Sequence, residues 1–183
     1  EDVILKRQNI NVNTENKPFL IPSNKRINYT HIENNFVDFD RERLLFKMNS
    51  SEGPCLCAAD FNQDGLDDLY IGSAKNQVSK IYYQTTKGNF KEYTKPFEED
   101  LLSEDVNCIA DDFNGDGRID LIVASGGSEY SSFSPELRDR LYLNTGEMNF
   151  KKVDNAFSSI MTFESTSTIS SDDIDKDGDL DLF

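Results

Sequence analysis

Residues 60–72 read DFNQDGLDDLYIG, with four carboxylates and two amides crowded ahead of a short apolar run. The phrase returns as DFNGDGRIDLIVAS from Asp112 and as DIDKDGDLDLF from Asp173, at spacings of 52 and 61 residues. Repeats of that length mark stacked supersecondary units, none of which buries its apolar face alone. The likeness extends upstream. SEGPCLCAAD, SEDVNCIADD and ESTSTISSDD occupy matching places, each with a small residue (Ala58, Ala110, Ser171) two positions before the first acid of its loop.

After each of the first two loops comes an apolar run, LYIG or LIVAS, then a Gly/Ser/Asn-rich break and a second run, KIYYQ or RLYLN. A glycine turn (Gly88, Gly146) leads into NFKEY or NFKKV. Aromatic and β-branched runs bounded by turn residues predict four strands per repeat, forming one antiparallel sheet. The expected fold class is therefore all-β, a β-propeller segment of about two complete four-stranded blades with parts of flanking blades. Residues 1–26 read as an irregular arm or linker and 27–54 as part of a preceding blade, where INYTHIENNFVDF alternates as a strand pair does. Blades follow at 55–104 and 105–164, and a third begins at 165–183. Four blades at this period need about 200 residues, so the expectation is a piece of a longer propeller.

Counted from its first Asp, each loop carries side-chain oxygens at positions 1, 3, 5 and 9 and glycine at 6. These are Asp60, Asn62, Asp64 and Asp68; Asp112, Asn114, Asp116 and Asp120; and Asp173, Asp175, Asp177 and Asp181. Position 7 (Leu66, Arg118, Asp179) adds a backbone carbonyl. Alternate residues of a tight loop aim their oxygens inward, and Ca²⁺ takes six to eight such ligands, whereas Mg²⁺ dehydrates reluctantly. Up to three structural Ca²⁺ ions are expected. An EF-hand needs a bidentate acid at position 12 and a following helix, but Ile71 and Val123 stand there inside β-type runs. The alternative for any single loop is an Asp/Asn/Gly hairpin turn without an ion.

The formal charge of -15 repels a phosphate backbone, and no Lys/Arg stripe reverses it, so nucleic acid is excluded as a partner. Three divalent ions would bring that charge to -9. No apolar run approaches the roughly 20 residues of a membrane helix, and no signal peptide is recognisable at the start. Aligning the repeats puts Cys55 and Cys57 on one strand face and Cys108 on the opposite one. No pair is placed for a disulfide, and buried thiols are the simpler reading.

With these loops the chain resembles the FG-GAP or VCBS repeat proteins, whose blades carry D-x-[DN]-x-D-G-x-x-D as in integrin α-subunit propellers. It is most similar to bacterial VCBS proteins of the ASPIC/UnbV-like group, through GPCLCAADFNQDGLDDLYIGSA, ASGGSEYSSFSPELRDRLYLNTGEMNF and HIENNFVDFDRERLL, over about residues 27–183. The resemblance implies a seven-bladed or similar propeller with calcium in its blade loops. It further implies exported or surface proteins, commonly of Bacteroidetes and often outer-membrane lipoproteins, although no lipid-bearing Cys stands near this start.

The second repeat carries about eight extra residues in GGSEYSSFSPELRDR, where Tyr130 and Phe133 are candidates for contact with a partner, since long inter-strand loops are where propellers bind. His31 with Glu33 and Asp38 forms a conceivable acid/base group, though a single strand His is more often structural. Asn28-Tyr29-Thr30 and Asn49-Ser50-Ser51 fit the glycosylation sequon. No phosphate cradle, Ser-His-Asp set or Cys-His pair stands out. The expectation is a non-catalytic, calcium-binding propeller of an exported or bacterial cell-surface protein that binds a protein or glycan. Two alternatives remain: an enzyme, such as a polysaccharide lyase or hydrolase, with its active residues outside this segment, or a structural lipoprotein of an outer-membrane uptake complex.

Overall fold

The computed structural model describes residues 27–48, 50, 51, 53–86, 88–157 and 165–183, and in it each acidic phrase closes a β-hairpin. The first sheet is a meander of β1 (Leu56–Ala59), β2 (Asp68–Ile71), β3 (Lys80–Thr86) and β4 (Asn89–Tyr93) in that spatial order. The second repeats it with β5 (Asp105–Asp111), β6 (Asp120–Ser125), β7 (Arg140–Gly146) and β8 (Asn149–Lys152). A two-stranded ladder, β9 (Ser171–Asp172) with β10 (Asp181–Leu182), flanks the third loop. All the pairings are antiparallel. These are successive blades of a β-propeller, as the four-strand pattern predicted. The predicted arm at 1–26, the Asn49 sequon and residues 158–164 lie outside the described residues.

The blades stack face to face, and β6 shows why its sequence is apolar throughout. Period-two alternation sends Leu121 and Val123 toward the first blade, with Tyr70, Ile81, Tyr83 and Phe97, and Ile122 and Ala124 toward Ile169 of the third repeat. Both faces are covered, so every residue of DLIVAS is buried. Aromatic edges lock the first interface: Phe97 sits 5.2 Å from Tyr70 and 5.1 Å from Tyr142, centroid to centroid, both tilted toward T-shaped packing. Where the sheets come closest only glycine fits. A Cβ on Gly72 would lie 2.5 Å from Cys55 Sγ and 2.7 Å from Asp105 Cβ.

One expectation is extended by the stacking, and another needs correction. Cys108 does point to the opposite face of its blade from Cys55 and Cys57, but stacking turns opposite faces of neighbouring blades into one interface. All three thiols therefore share the inter-blade core, where Cys108 contacts both others and is held far above the usual thiol range by them and by burial. They are free thiols. The correction concerns INYTHIENNFVDF, which forms no strand among its described residues. Its alternation is real, with Tyr29, His31 and Glu33 half-buried between exposed Asn28, Thr30 and Ile32, but the inward residues are the polar ones. They dock on loops rather than on a strand edge. The Tyr29 hydroxyl donates to Gly72 O at 3.0 Å, and Ile32 N donates to Gln77 Oε1 at 3.2 Å.

Candidate functional site

Each acidic loop is tied by its own carboxylates in one repeated pattern. In the first, Asp64 N donates to Asp60 Oδ1 (3.0 Å) and Asn62 Oδ1 (2.9 Å), Gly65 N to Asp60 Oδ2 (2.8 Å), and Leu66 N to Asp64 Oδ1 (2.9 Å). The second repeats these bonds, from Asp116 N to Asp112 and Asn114, from Gly117 N to Asp112, and from Arg118 N to Asp116, at 2.7–3.1 Å. The third repeats them around Asp173, Asp175 and Asp177 at 3.1–3.2 Å. The glycine at position 6 takes φ of 83°, 83° and 99° in the three loops, which side chains rarely adopt. Position 4 is left-handed too, occupied by Gln63, Gly115 and Lys176.

In the third loop three of the candidate ligands come together. Carboxylate oxygens of Asp173, Asp175 and Asp177 lie within 4.8 Å of one another, a separation that one cation can span. The donor set is all oxygen, which suits a hard cation and no soft one. In the second loop Arg118 Nη2 lies 2.5 Å from Asp116 Oδ2, so a cation there shares that carboxylate with a guanidinium.

Position 9 carries a second role that spacing alone did not show. Asp68 and Asp120 are fully buried. Asp68 accepts Phe61 N at 3.1 Å and Gln84 N at 2.7 Å, and Asp120 accepts Phe113 N at 3.2 Å and Asn144 N at 2.7 Å. Each therefore pins its loop to the third strand of its own blade. Asn144 Nδ2 also donates across the blade interface to Phe61 O at 2.8 Å, and Gln63 Nε2 to Gly117 O at 2.7 Å, so the first two loops touch. A Gln or Asn in the third strand, two residues after a tyrosine (Tyr82, Tyr142), was the available signal.

Residues 112–183 match the FG-GAP-like repeat. That span takes in the second and third acidic loops, and the first blade follows the same strand and loop plan. The chain is also similar to phosphatidylinositol-glycan-specific phospholipase D of Mus musculus, 30% identical over 105 residues, covering 49% of this chain. The chain spans only 12% of that relative's length.

Tyr130 and Phe133, the predicted contact residues, diverge. Tyr130 is engaged within the protein: its hydroxyl donates to Leu102 O, and Lys75 Nζ lies 4.6 Å from its ring centre. Phe133 is 73% exposed in a left-handed conformation (φ 71°). A cleft of about 270 Å³ adjoins this insertion, bounded by Asp100, Leu102, Pro135, Glu136, Arg138 and Lys152 among others. Of the conceivable acid/base group, His31 Nε2 meets Glu33 Oε1 at 2.7 Å, whereas Asp38 accepts Ser50 N at 2.9 Å. No helix among the described residues is long and apolar enough to cross a membrane.

Several carboxyls titrate high in the ion-free protein. Burial pushes Asp68 up to about 6 against the pull of two backbone N–H groups, with the charges of Asp64 and Asp60 adding to the rise. Burial likewise raises Glu104 to about 7 and lifts Asp120 and Asp139. A carboxyl whose folded pKa exceeds its unfolded value contributes stability in full below about pH 4, and that contribution is lost as pH rises through the folded pKa. The ion-free protein is therefore expected to melt at a higher temperature at pH 5 than at pH 8. A melting series in chelator measures this, and a flat or opposite slope contradicts it.

Proposed function

We propose that this is a non-catalytic propeller module that binds up to three structural Ca²⁺ ions in its acidic loops and uses the opposite, inter-strand loops to hold a protein or glycan. The observation that carries the metal reading is the threefold recurrence of one loop geometry, with carboxylate or amide oxygens on alternate residues folded back onto the loop's own backbone N–H groups. Ca²⁺ would be held by Asp60, Asn62, Asp64 and Asp68 and their counterparts in the other two loops, joined by the carbonyls of Leu66, Arg118 and Asp179. Its charge would offset the mutual repulsion of each set. The ions fix loops and blades and take no part in chemistry. An exported or cell-surface setting, where Ca²⁺ is abundant, fits this requirement and the acidic surface; an outer-membrane assembly is one such setting.

The cleft beside the 126–139 insertion, with Phe133 exposed on its neighbouring loop, supports contact with a partner there. Exposed aromatics flanked by Ser suit sugar and protein surfaces alike. The similar phospholipase acts, by its name, on a glycan-bearing lipid, which favours the glycan branch. Its being an enzyme favours a second reading, in which this propeller serves a catalytic unit elsewhere in a longer protein. Screening glycans and surface proteins against the wild type and Phe133→Ser tests the binding face. A retained ligand whose affinity drops about tenfold in the variant, with melting unchanged, is the expected result. Retention indifferent to the insertion, or no ligand at all, contradicts it.

A further inference from the structure

The first strands of the two complete blades, β1 and β5, lie against each other across the blade interface. Their pairing fixes which way each thiol points. Cys57 stands opposite Tyr70 in its ladder and Cys108 opposite Val123, and both of those partners belong to the core between the blades. Cys55 follows the same plan, its carbonyl accepting Gly72 N at 2.9 Å just beyond the ladder. In β5 the register shifts between Asp105 and Asn107, so Asp105 shares the inward face with Cys108 despite the odd spacing. The sheets come very close here: a Cβ on Gly72 would meet both Cys55 Sγ (2.5 Å) and Asp105 Cβ (2.7 Å).

Sheets packed face to face ordinarily keep about 10 Å between them, too far for a disulfide, whose Cα atoms lie about 4.4–6.8 Å apart. Small side chains on this seam, Ala59 and Ala110 beside Gly72, let the two first strands approach. Cys108 is thereby brought into contact with both thiols of the first blade. The three differ in access. Cys55 and Cys108 are 8% and 9% exposed, whereas Cys57 is only half-buried. The thiolate is the attacking form, and Cys108 is kept protonated by its two neighbours and by burial. An external reagent therefore enters at Cys57, with Cys108 placed to attack the sulfur it leaves modified.

We infer that Cys57 and Cys108 close a disulfide joining the first blade to the second when the protein meets an oxidising thiol pool. The oxidant is another disulfide, carried by a small thiol or by a thiol–disulfide exchange protein. The Cys57 thiolate attacks one of its sulfurs and releases the other half, which takes up the proton Cys57 gave. Cys108 then attacks Cys57 Sγ, and its proton leaves with the second half. Two protein thiols are oxidised and one disulfide is reduced to two thiols. Cys55 stays reduced. The bond closes the chain from residue 57 to residue 108, and a long loop is where a cross-link most restricts the unfolded chain. None of the acidic-loop ligands takes part, so the link is independent of the calcium reading.

Excess glutathione disulfide added to the full chain at pH 8 tests the link, with remaining thiols alkylated in denaturant and unreduced peptides mapped by mass spectrometry. The wild type is expected to fall from three alkylatable thiols to one, with the Cys57 and Cys108 peptides joined, no glutathione retained, and all three thiols recovered on reduction. Cys108→Ser is expected to hold glutathione on Cys57, and Cys55→Ser to form the bond as the wild type does. The inference is overturned if the wild type keeps three thiols, if it retains glutathione on Cys57, or if any other pair is joined. The wild-type map needs no substitution, so it decides even where a serine variant misfolds.

Discussion

Asp105→Ala is expected to destabilise the protein by about 3–5 kcal/mol, the usual cost of removing one partner from a buried ion pair. Asp105 is 1% exposed and lies where the two blades meet. Its Oδ1 accepts Arg140 Nη2 at 2.5 Å, and its Oδ2 accepts Tyr70 OH at 2.8 Å, Ser73 N at 3.1 Å and the Ser79 hydroxyl. Three of these donors belong to the first blade and the fourth to the third strand of the second. One carboxylate thus serves four buried donors, the guanidinium among them, and alanine removes their shared acceptor. Against a total stability of roughly 5–15 kcal/mol, the loss is a large share. A denaturant melt measures it, and a loss under about 1 kcal/mol contradicts the role assigned to Asp105. Adding Arg140→Met to the alanine variant should cost little more, because the charge left unpaired is then gone.

Removing Ca²⁺ has the other large expected effect. A ligand that binds only the native state stabilises it by about 4 kcal/mol at a thousandfold excess over its Kd, for each site. At about 2–4 °C per kcal/mol for a protein of this size, even one occupied loop is worth roughly 8–16 °C in Tm. The loops are also coupled. Position 9 of the first two loops clamps the third strand of its blade, and Gln63 joins the first loop to the second, so losing an ion from either loosens the neighbouring blade as well as its own hairpin.

How much of this could be read from the sequence depends on how far apart the participating residues stand. The strand plan and the loop geometry follow from runs of fewer than a dozen residues, whereas the burial of DLIVAS on both faces came only with the stacking of the blades. The cysteines are free and largely buried as read, but their meeting in one interface was not legible, because register within a blade says which face a side chain takes, and only stacking says which faces meet. The strand pair at 27–39 failed because alternation marks an extended chain, not what it pairs with; there the inward residues Tyr29, His31 and Glu33 were polar, a sign of docking on loops. Asp105 with Arg140, and Glu129 with Asn34, gave no local signal. Their partners stand 35 and 95 residues apart in the hydrogen bonds that join them, and nothing in the spacing of single acids announces such a pairing.

The most direct test of the calcium account is a thermal melt in saturating Ca²⁺ beside one in excess chelator, with bound metal counted by elemental analysis on the same sample. The account predicts a Tm lower by roughly 8 °C or more in chelator, restored by Ca²⁺ and less so by Mg²⁺, with calcium found in the untreated protein. Superimposable melts from a protein that carries no metal would contradict it.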